Sequence, residues 1–230
     1  MIESITNDML QRVVNIKFKN STATAFVVHY KNTPYLITAK HVFKNIEDKT
    51  ICDIEIRHSN SSWKTVSVII YFSKSDDMDL AVLALGNKEK RIYKDDSAIL
   101  TTASLILGQE AFFLGFPYNF SLEVDCSINN DFPLPLVKKA TISSLPNMID
   151  NGLFFLDGNN NPGFSGGPVC FFDYELKKYK IAGVISGFIS DNIEIHSVLG
   201  NKLSLPINTG IIIAYDIKYA REILENISSM

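Results

Sequence analysis

No apolar run in this chain approaches the ~18 to 20 residues that a helix needs to cross a bilayer; the longest, such as Ile211-Ile212-Ile213-Ala214-Tyr215, are the length of a strand. Excess positive charge is missing too. The 22 Lys and Arg are outnumbered by 25 Asp and Glu, giving a net charge of -3, so no basic surface is available for a phosphate backbone and nucleic acid is excluded as a partner. Cysteine is scarce: Cys52, Cys126 and Cys170 are odd in number, far apart and in no CxxC or metal-ligand spacing, which excludes a disulfide framework and a zinc site. They read as reduced thiols. Met1 to Val14 carries Glu3, Asp8 and Arg12 where a secretory leader would be apolar, so the expectation is a soluble, cytoplasmic protein with no membrane contact. A Walker loop, a dinucleotide glycine fingerprint, heptads and repeats of 20 to 50 residues are all absent, and no cofactor or metal is expected.

What is present is a chain of 230 residues, 46% hydrophobic and 20% charged, enough for one large globular unit or two small ones. Short β-rich runs separated by turn residues dominate: 13–18, 23–30, 34–38, 51–57, 65–71 and 80–85, then 111–114, 136–142, 152–156, 168–172, 181–188 and 210–214. Two series of about six short strands, with a hairpin expected around Lys31-Asn32-Thr33, indicate an all-β fold of barrels or a sandwich. The charged stretch Gly86 to Ser104 reads as the linker, dividing the chain into a first β unit (1–95, with a short lead-in helix over 4–10) and a second (96–215). From 216 to 230, Ile217, Ala220, Ile223, Leu224 and Ile227 share one helical face with Asp216 as N-cap, and the helix is expected to lie across the second unit. Tyr118 to Pro135 is a long irregular loop.

Asn161-Pro162-Gly163-Phe164-Ser165-Gly166-Gly167-Pro168-Val169 sets one hydroxyl among three glycines ahead of an apolar strand. A serine oxygen is a poor nucleophile near neutral pH and needs a base and amide donors for the oxyanion it creates. Glycine supplies the positive-φ path such a loop requires; alone, the stretch is equally a glycine-rich turn. Among four histidines His41 is the best base, because Thr38-Ala39-Lys40-His41 ends a strand in a small-residue turn, whereas His29 lies within a strand and His58 and His196 fall among polar loop residues. Asp79 is the best orienting carboxylate: it runs directly into the apolar strand from Leu80 to Leu85, while Asp76 and Asp77 read as turn acids.

Those segments, Thr38-Ala39-Lys40-His41, Asp79-Leu80-Ala81-Val82-Leu83 and Gly163-Phe164-Ser165-Gly166-Gly167-Pro168, resemble the three signature segments of trypsin-like (chymotrypsin-fold) serine proteases, in that family's order. The resemblance covers about residues 10 to 225 and is nearest to HtrA-type and related intracellular peptidases without a PDZ domain. It implies two six-stranded antiparallel β-barrels with a C-terminal helix, and a His41-Asp79-Ser165 triad in the cleft. It also implies an oxyanion hole from the N–H groups of Gly163 and Ser165, and a strand from Val184 to Phe188 that pairs with a polypeptide substrate. By offset, Asn159 is expected near the base of the primary pocket, with Ser186, Gly187 and Phe188 along its wall; no acid is placed to hold Lys or Arg, so a small or medium apolar P1 side chain is expected.

Digestive members carry an acid just before the nucleophile that pairs with a freshly cut N-terminus; here Phe164 stands there. Activation by N-terminal cleavage is therefore not expected, and an activating protein partner is an open alternative, as is a non-catalytic scaffold of the same fold. The Gly-x-Ser-x-Gly elbow of α/β-hydrolases is rejected on chain order, since a strand rather than a helix follows Ser165 and the acid and base precede it.

Overall fold

The computed structural model describes residues 4–59, 61–73, 75, 77–85, 96–125, 128–196 and 202–229. After a short helix α1 (Asn7–Gln11), strands β1 (Val13–Phe18), β2 (Ser21–Tyr30), β3 (Thr33–Thr38), β4 (Ile51–Arg57), β5 (Trp63–Phe72) and β6 (Ala81–Leu85) close a first antiparallel barrel in the order β1-β2-β3-β6-β5-β4. A second closes from β7 (Glu110–Gly115), β8 (Leu136–Ile142), β9 (Leu153–Asp157), β10 (Pro168–Asp173), β11 (Lys178–His196) and β12 (Lys202–Asp216), in the order β10-β11-β12-β9-β8-β7. The expected double barrel is thus present. Its strands follow from two-residue alternation, which sends one set of apolar side chains inward: Ile16, Ala25, Leu36, Ile54, Ile70 and Leu83 fill the first barrel, and Phe113, Phe154, Leu156, Phe171 and Ile212 the second. Lys31 and Asn32 both take positive φ (47° and 62°), the geometry of the tight turn that matches strand twist in a two-residue hairpin.

The outward faces of the first barrel are apolar as well. Phe26, Val28, Ile37 and Val82 meet Leu114, Cys170 and Ile181 of the second in one continuous seam, and helix α2 (Lys218–Ser228) closes over it with Ala220, Ile223 and Leu224. Two expectations are corrected here. The tail helix packs against β6 of the first barrel as well as against the second, where Tyr219 lies over Gly152 and Arg221 reaches the Leu100 carbonyl, because its apolar face completes this seam. Its N-cap is Ile217, not Asp216; Asp216 is still the last residue of β12, buried, with its carboxylate accepting the Lys218 N–H at 2.9 Å. The lead-in helix is shorter than expected, and β6 starts one residue after the fully buried Leu80. Asp76, Cys126 and most of the expected linker lie outside the described residues, among which no helix is long and apolar enough to cross a membrane.

The largest difference lies at β11 and β12. Expected to end at 188 and begin at 210, they run on as a two-stranded arm whose register continues from Ser190↔Asn208 to His196↔Lys202, so His196 belongs to a strand. Its reading as a loop fails because, among the described residues, each arm strand has only the other as a partner, and the polar and turn-forming residues of one face dominate the pattern.

Between β6 and β7, Asp96 is buried and takes a fork from Arg12 (Nη1–Oδ2 2.6 Å, Nη2–Oδ1 3.0 Å) and the His29 N–H at 2.8 Å. Burial pushes the Asp96 carboxyl up, but the bonds and charge of Arg12 outweigh it and hold its pKa below the ordinary value. Asp96→Ala should cost about 1 to 3 kcal/mol of stability, since it leaves Arg12 Nη1 unpaired in a poorly hydrated site while only the exposed Asp8 still holds Nε and Nη2. With a depressed folded pKa, the wild-type contribution is complete above the unfolded value of ~3.9 and is lost as pH falls through the lower folded value. Denaturant melts of both proteins at pH 7 and pH 3 check this; a gap that does not shrink at pH 3 speaks against it.

Candidate active site

The end of β3 and the start of β6 are paired, Thr38 with Ala81. The single turn Lys40–Phe43 that follows β3 and the residue preceding Leu80 are therefore carried to the same rim of the barrel. Val42 and Phe43 are buried and fix that turn, and Met78 and Leu80 are buried on either side of Asp79. Asp79 Oδ2 receives His41 Nδ1 at 2.7 Å, Oδ1 receives the His41 backbone N–H at 2.7 Å, and the Ser186 hydroxyl donates to Oδ2. The imidazole is thereby held at Nδ1 and by its own backbone, leaving Nε2 to the cleft. Burial raises the Asp79 pKa, but the bond and charge of His41, with the Ser186 hydroxyl, outweigh it and hold it below the ordinary value.

Ser165 arrives from the second barrel. It shares with His41 a cleft of about 350 Å³ whose other walls include Phe18, Thr22, Ala23, Pro162 and Gly163. Its hydroxyl donates to the Ser186 carbonyl at 2.9 Å, so in this state the serine proton is on the edge of β11 rather than on His41.

The loop before Ser165 is locked by the first barrel. Gly163 has φ 104°, and a Cβ there would come within 2.5 Å of the Phe116 carbonyl oxygen; glycine is required on both counts. The Pro162 carbonyl accepts the Tyr118 N–H at 2.9 Å. Because C=O and N–H point opposite ways across a trans peptide, the Gly163 N–H is turned away from that contact. Among the described residues neither the Gly163 nor the Ser165 N–H has an acceptor. Thr24, fully buried on β2, spends every polar group on this junction. Its Oγ1 donates to the Gly163 carbonyl (2.7 Å) and accepts the Phe116 N–H (3.0 Å), its N–H donates to the Ser165 carbonyl (3.0 Å), and its own carbonyl accepts the Thr38 hydroxyl (2.7 Å). Phe164 is fully buried, its ring edge-on to Phe113 with centroids 4.8 Å apart. From behind, the Lys138 ammonium donates to Asn161 Oδ1 (2.9 Å) and the Asn159 carbonyl, 5.9 Å from the Phe164 ring centroid; desolvation lowers its pKa.

Against this geometry stands a comparison with families of known proteins. The model for the trypsin-like peptidase domain matches residues 23–175. The chain belongs to the trypsin-like peptidase family. The peptidase is a serine protease in that sense, and polypeptides are its substrate class. No curated protein matches it. Solved structures agree on the fold: the HtrA-type protease AlgW with tripeptide (20% identity, TM-score 0.56, 95% of this chain and 60% of that one), Deg5 (19%, 0.57, 93% and 87%) and kallikrein-related peptidase 10 (16%, 0.57, 99% and 100%).

The peptidase brings His41, Asp79, Ser165, Gly163 and Ser186 together. Of the remaining residues read from the sequence as pocket elements, Gly187 and Phe188 continue β11 directly after Ser186. Asn159 is exposed, its carbonyl held by Lys138 and its Oδ1 3.4 Å from Asn208 Nδ2. Its buried neighbour Asn160 donates Nδ2 to the Gly187 carbonyl at 2.9 Å, while Phe188 is half-buried and paired with Ile212. Sequence reasoning missed Thr24 and Lys138, which lie far from every motif, and it placed Ser186 on the pocket wall without its bond to Asp79. The other histidines are elsewhere: His29 is on Asp96, and His58 stacks 4.7 Å from Phe132.

Proposed function

We propose that the peptidase is a serine endopeptidase working through His41, Asp79 and Ser165, with the N–H groups of Gly163 and Ser165 as its oxyanion hole. The observation that carries this reading is the chain of bonds from Ser186 through Asp79 to His41 Nδ1 beside Ser165 in one cleft. Ser165 Oγ forms a bond to the substrate carbonyl carbon as its proton passes to His41 Nε2, and the oxyanion is taken by the two amides. The C–N bond then breaks as His41 gives that proton to the leaving amine. Water, deprotonated by His41, attacks the acyl ester, and Ser165 recovers a proton as the acid product leaves. The Ser165 hydroxyl must first turn from the Ser186 carbonyl to His41, and a substrate N–H arriving at that carbonyl supplies the competing bond.

That same contact favours a second reading, a latent peptidase released by a protein partner; a non-catalytic scaffold is its limiting case. Labelling with a fluorophosphonate separates them. On the endopeptidase reading the isolated chain labels, and Ser165→Ala and His41→Ala do not. A wild type that stays unlabelled until a partner is added overturns it in favour of latency. For specificity, Asn159, Ser186, Gly187 and Phe188 bound the primary pocket, with Asn160 joining them, and a small or medium apolar P1 residue fits best. The Lys138 ammonium bound to the Asn159 carbonyl disfavours a cationic side chain nearby. A peptide library should return Lys and Arg at P1 at least ~10-fold below Val or Ala, a ratio of about 1.4 kcal/mol; enrichment of basic residues would sink this. We place the protein in the cytoplasm, because Cys52 and Cys170 are free thiols and burial pushes the Cys170 thiol up to about 12, well away from reactivity.

A further inference from the structure

Among the described residues, the arm formed by the ends of β11 and β12 leaves both a face and an edge without a partner. β10 accompanies β11 only as far as Val184, and β9 accompanies β12 only from Ile211 onward, so residues 190–196 and 202–208 form a two-stranded ribbon. Such a ribbon has little stability of its own in water. Register puts Ile193 opposite Leu205 and Asp191 opposite Ile207, with Leu203 on the same face; Ile193, Leu203, Leu205 and Ile207 are 38 to 56% exposed. The opposite face carries Asn192 and Pro206, and then the Glu194–Lys202 ion pair at 2.5 Å. One side of the arm is therefore polar, and the other is apolar but for Asp191.

The edge is continuous with the catalytic cleft. On β11 the same strand that holds Ser186 beside Ser165 runs outward, and the Asn192 N–H is bonded to the Asp191 carboxylate at 2.7 Å, opposite Pro206, a residue with no N–H to return to the ladder. By the two-residue alternation of strand hydrogen bonding, Ser190 and Glu194 direct their backbone groups the same way. Asp191 thus covers an edge donor with its own side chain, a device that keeps an open strand from pairing indiscriminately.

We infer that the arm is an extended substrate-binding surface: the segment N-terminal to the scissile bond adds as a third antiparallel strand along β11 beyond Phe188, displacing the Asp191 carboxylate from the Asn192 N–H. The inference rests on the endopeptidase reading and goes past its primary pocket. The edge from 188 to 194 accommodates about six substrate residues, roughly 20 Å at ~3.3 Å each. Alternate side chains of that segment fall on the face of Ile193, Leu205 and Ile207, so the substrate is an extended polypeptide with apolar, β-branched residues at every second position well upstream of the cut. Continuity with Ser186 selects substrate over a second copy of the chain, whose pairing would have no reason to begin at the nucleophile.

The test uses two peptides with the same four residues before the cut, one extended upstream by six residues of alternating Val and Thr. Turnover by the wild type and fluorescence anisotropy of binding to Ser165→Ala are measured separately. The longer peptide should show at least a 10-fold higher kcat/KM and a 10-fold tighter Kd. This gain should shrink to under twofold in an Ile193→Thr/Leu205→Thr double variant, and also in Asn192→Pro, which deletes the edge donor. A wild type indifferent to length, or variants that keep the whole gain, overturns the inference while leaving the endopeptidase reading intact. Length-dependent, arm-dependent binding without turnover of either peptide supports the arm and defeats that reading. Light scattering that finds the double variant monomeric and the wild type dimeric, with equal length gains, assigns the face to a second copy and overturns the inference.

Discussion

Asp79→Asn is expected to lower kcat by about 10⁴-fold with little change in KM, the scale of loss when the triad aspartate of this family is made an amide. All three contacts of the Asp79 carboxylate are donated to it, by His41 Nδ1, the His41 backbone N–H and the Ser186 hydroxyl. An asparagine keeps the shape but offers one acceptor oxygen. That oxygen is claimed by the His41 backbone N–H, so the new NH₂ faces His41 Nδ1 and Ser186. Nδ1 must then accept, the ring proton moves to Nε2, and Nε2 no longer takes the Ser165 proton. Labelling by a fluorophosphonate should slow in parallel. Ser186→Ala removes one donor from the carboxylate and leaves the tautomer correct, so its loss should be well below that of Asp79→Asn. A fall of less than 10-fold for Asp79→Asn would sink the assignment of Asp79 as the orienting group. Since the folded pKa of Asp79 is depressed, its charge and its contribution to stability are complete above the unfolded value of ~3.9 and fade only below it. Acid inactivation above about pH 5 must originate elsewhere.

How much of this was legible in the sequence depends on how local each determinant is. Strands whose two faces are both used, as in the first barrel where Ile16 and Leu36 point inward while Phe26 and Ile37 fill the seam, declare themselves by apolar content. The nucleophile loop does so by its glycines, since positive φ at Gly163 and Gly166 (104° and 85°) leaves little other choice. At Gly166 a Cβ would also stand 2.1 Å from the Thr24 carbonyl oxygen. The arm did not, because a ribbon with one wet face has half the apolar residues of a barrel strand, and Ser190, Asp191, Asn192 and Pro206 give it the composition of a loop. The packing side of α2 was hidden for another reason. Its apolar stripe is suited to either barrel, and the outward apolar faces of both, joined in one seam, take it up. Thr24 and Lys138 have no local signature; each acts across a long stretch of chain on a loop that the sequence shows only as a motif.

Thr24→Val is accordingly the sharper test of how the oxyanion loop is held without an acid at position 164. Valine matches threonine in shape and β-propensity, so the strand and the Thr24 N–H and carbonyl contacts are retained. What is lost is Oγ1, and with it the partner of the Gly163 carbonyl and of the Phe116 N–H. Two buried polar groups left unpaired cost about 1 to 3 kcal/mol each. The cheapest relief is to rotate the Gly163 carbonyl toward water, which redirects the neighbouring amides out of the hole. Loss of one oxyanion donor costs ~100 to 1000-fold in kcat, and the expectation is a fall in that range with KM nearly unchanged, alongside a lower Tm. Thr24→Ser restores the hydroxyl without the methyl and should recover most of the rate while remaining less stable than wild type. That split matters, because a purely structural role for Thr24 would lower Tm in both variants and leave kcat per folded molecule untouched in each. Lys138→Met supplies the complementary measurement. If the ammonium on Asn159 and Asn161 and the Thr24 hydroxyl hold the same loop from opposite sides, their effects on kcat in a double-mutant cycle are non-additive by more than ~0.5 kcal/mol. Additive losses would mean that the two act on separate parts of the site, and that Thr24 alone does here what a cleaved N-terminus does in the digestive relatives.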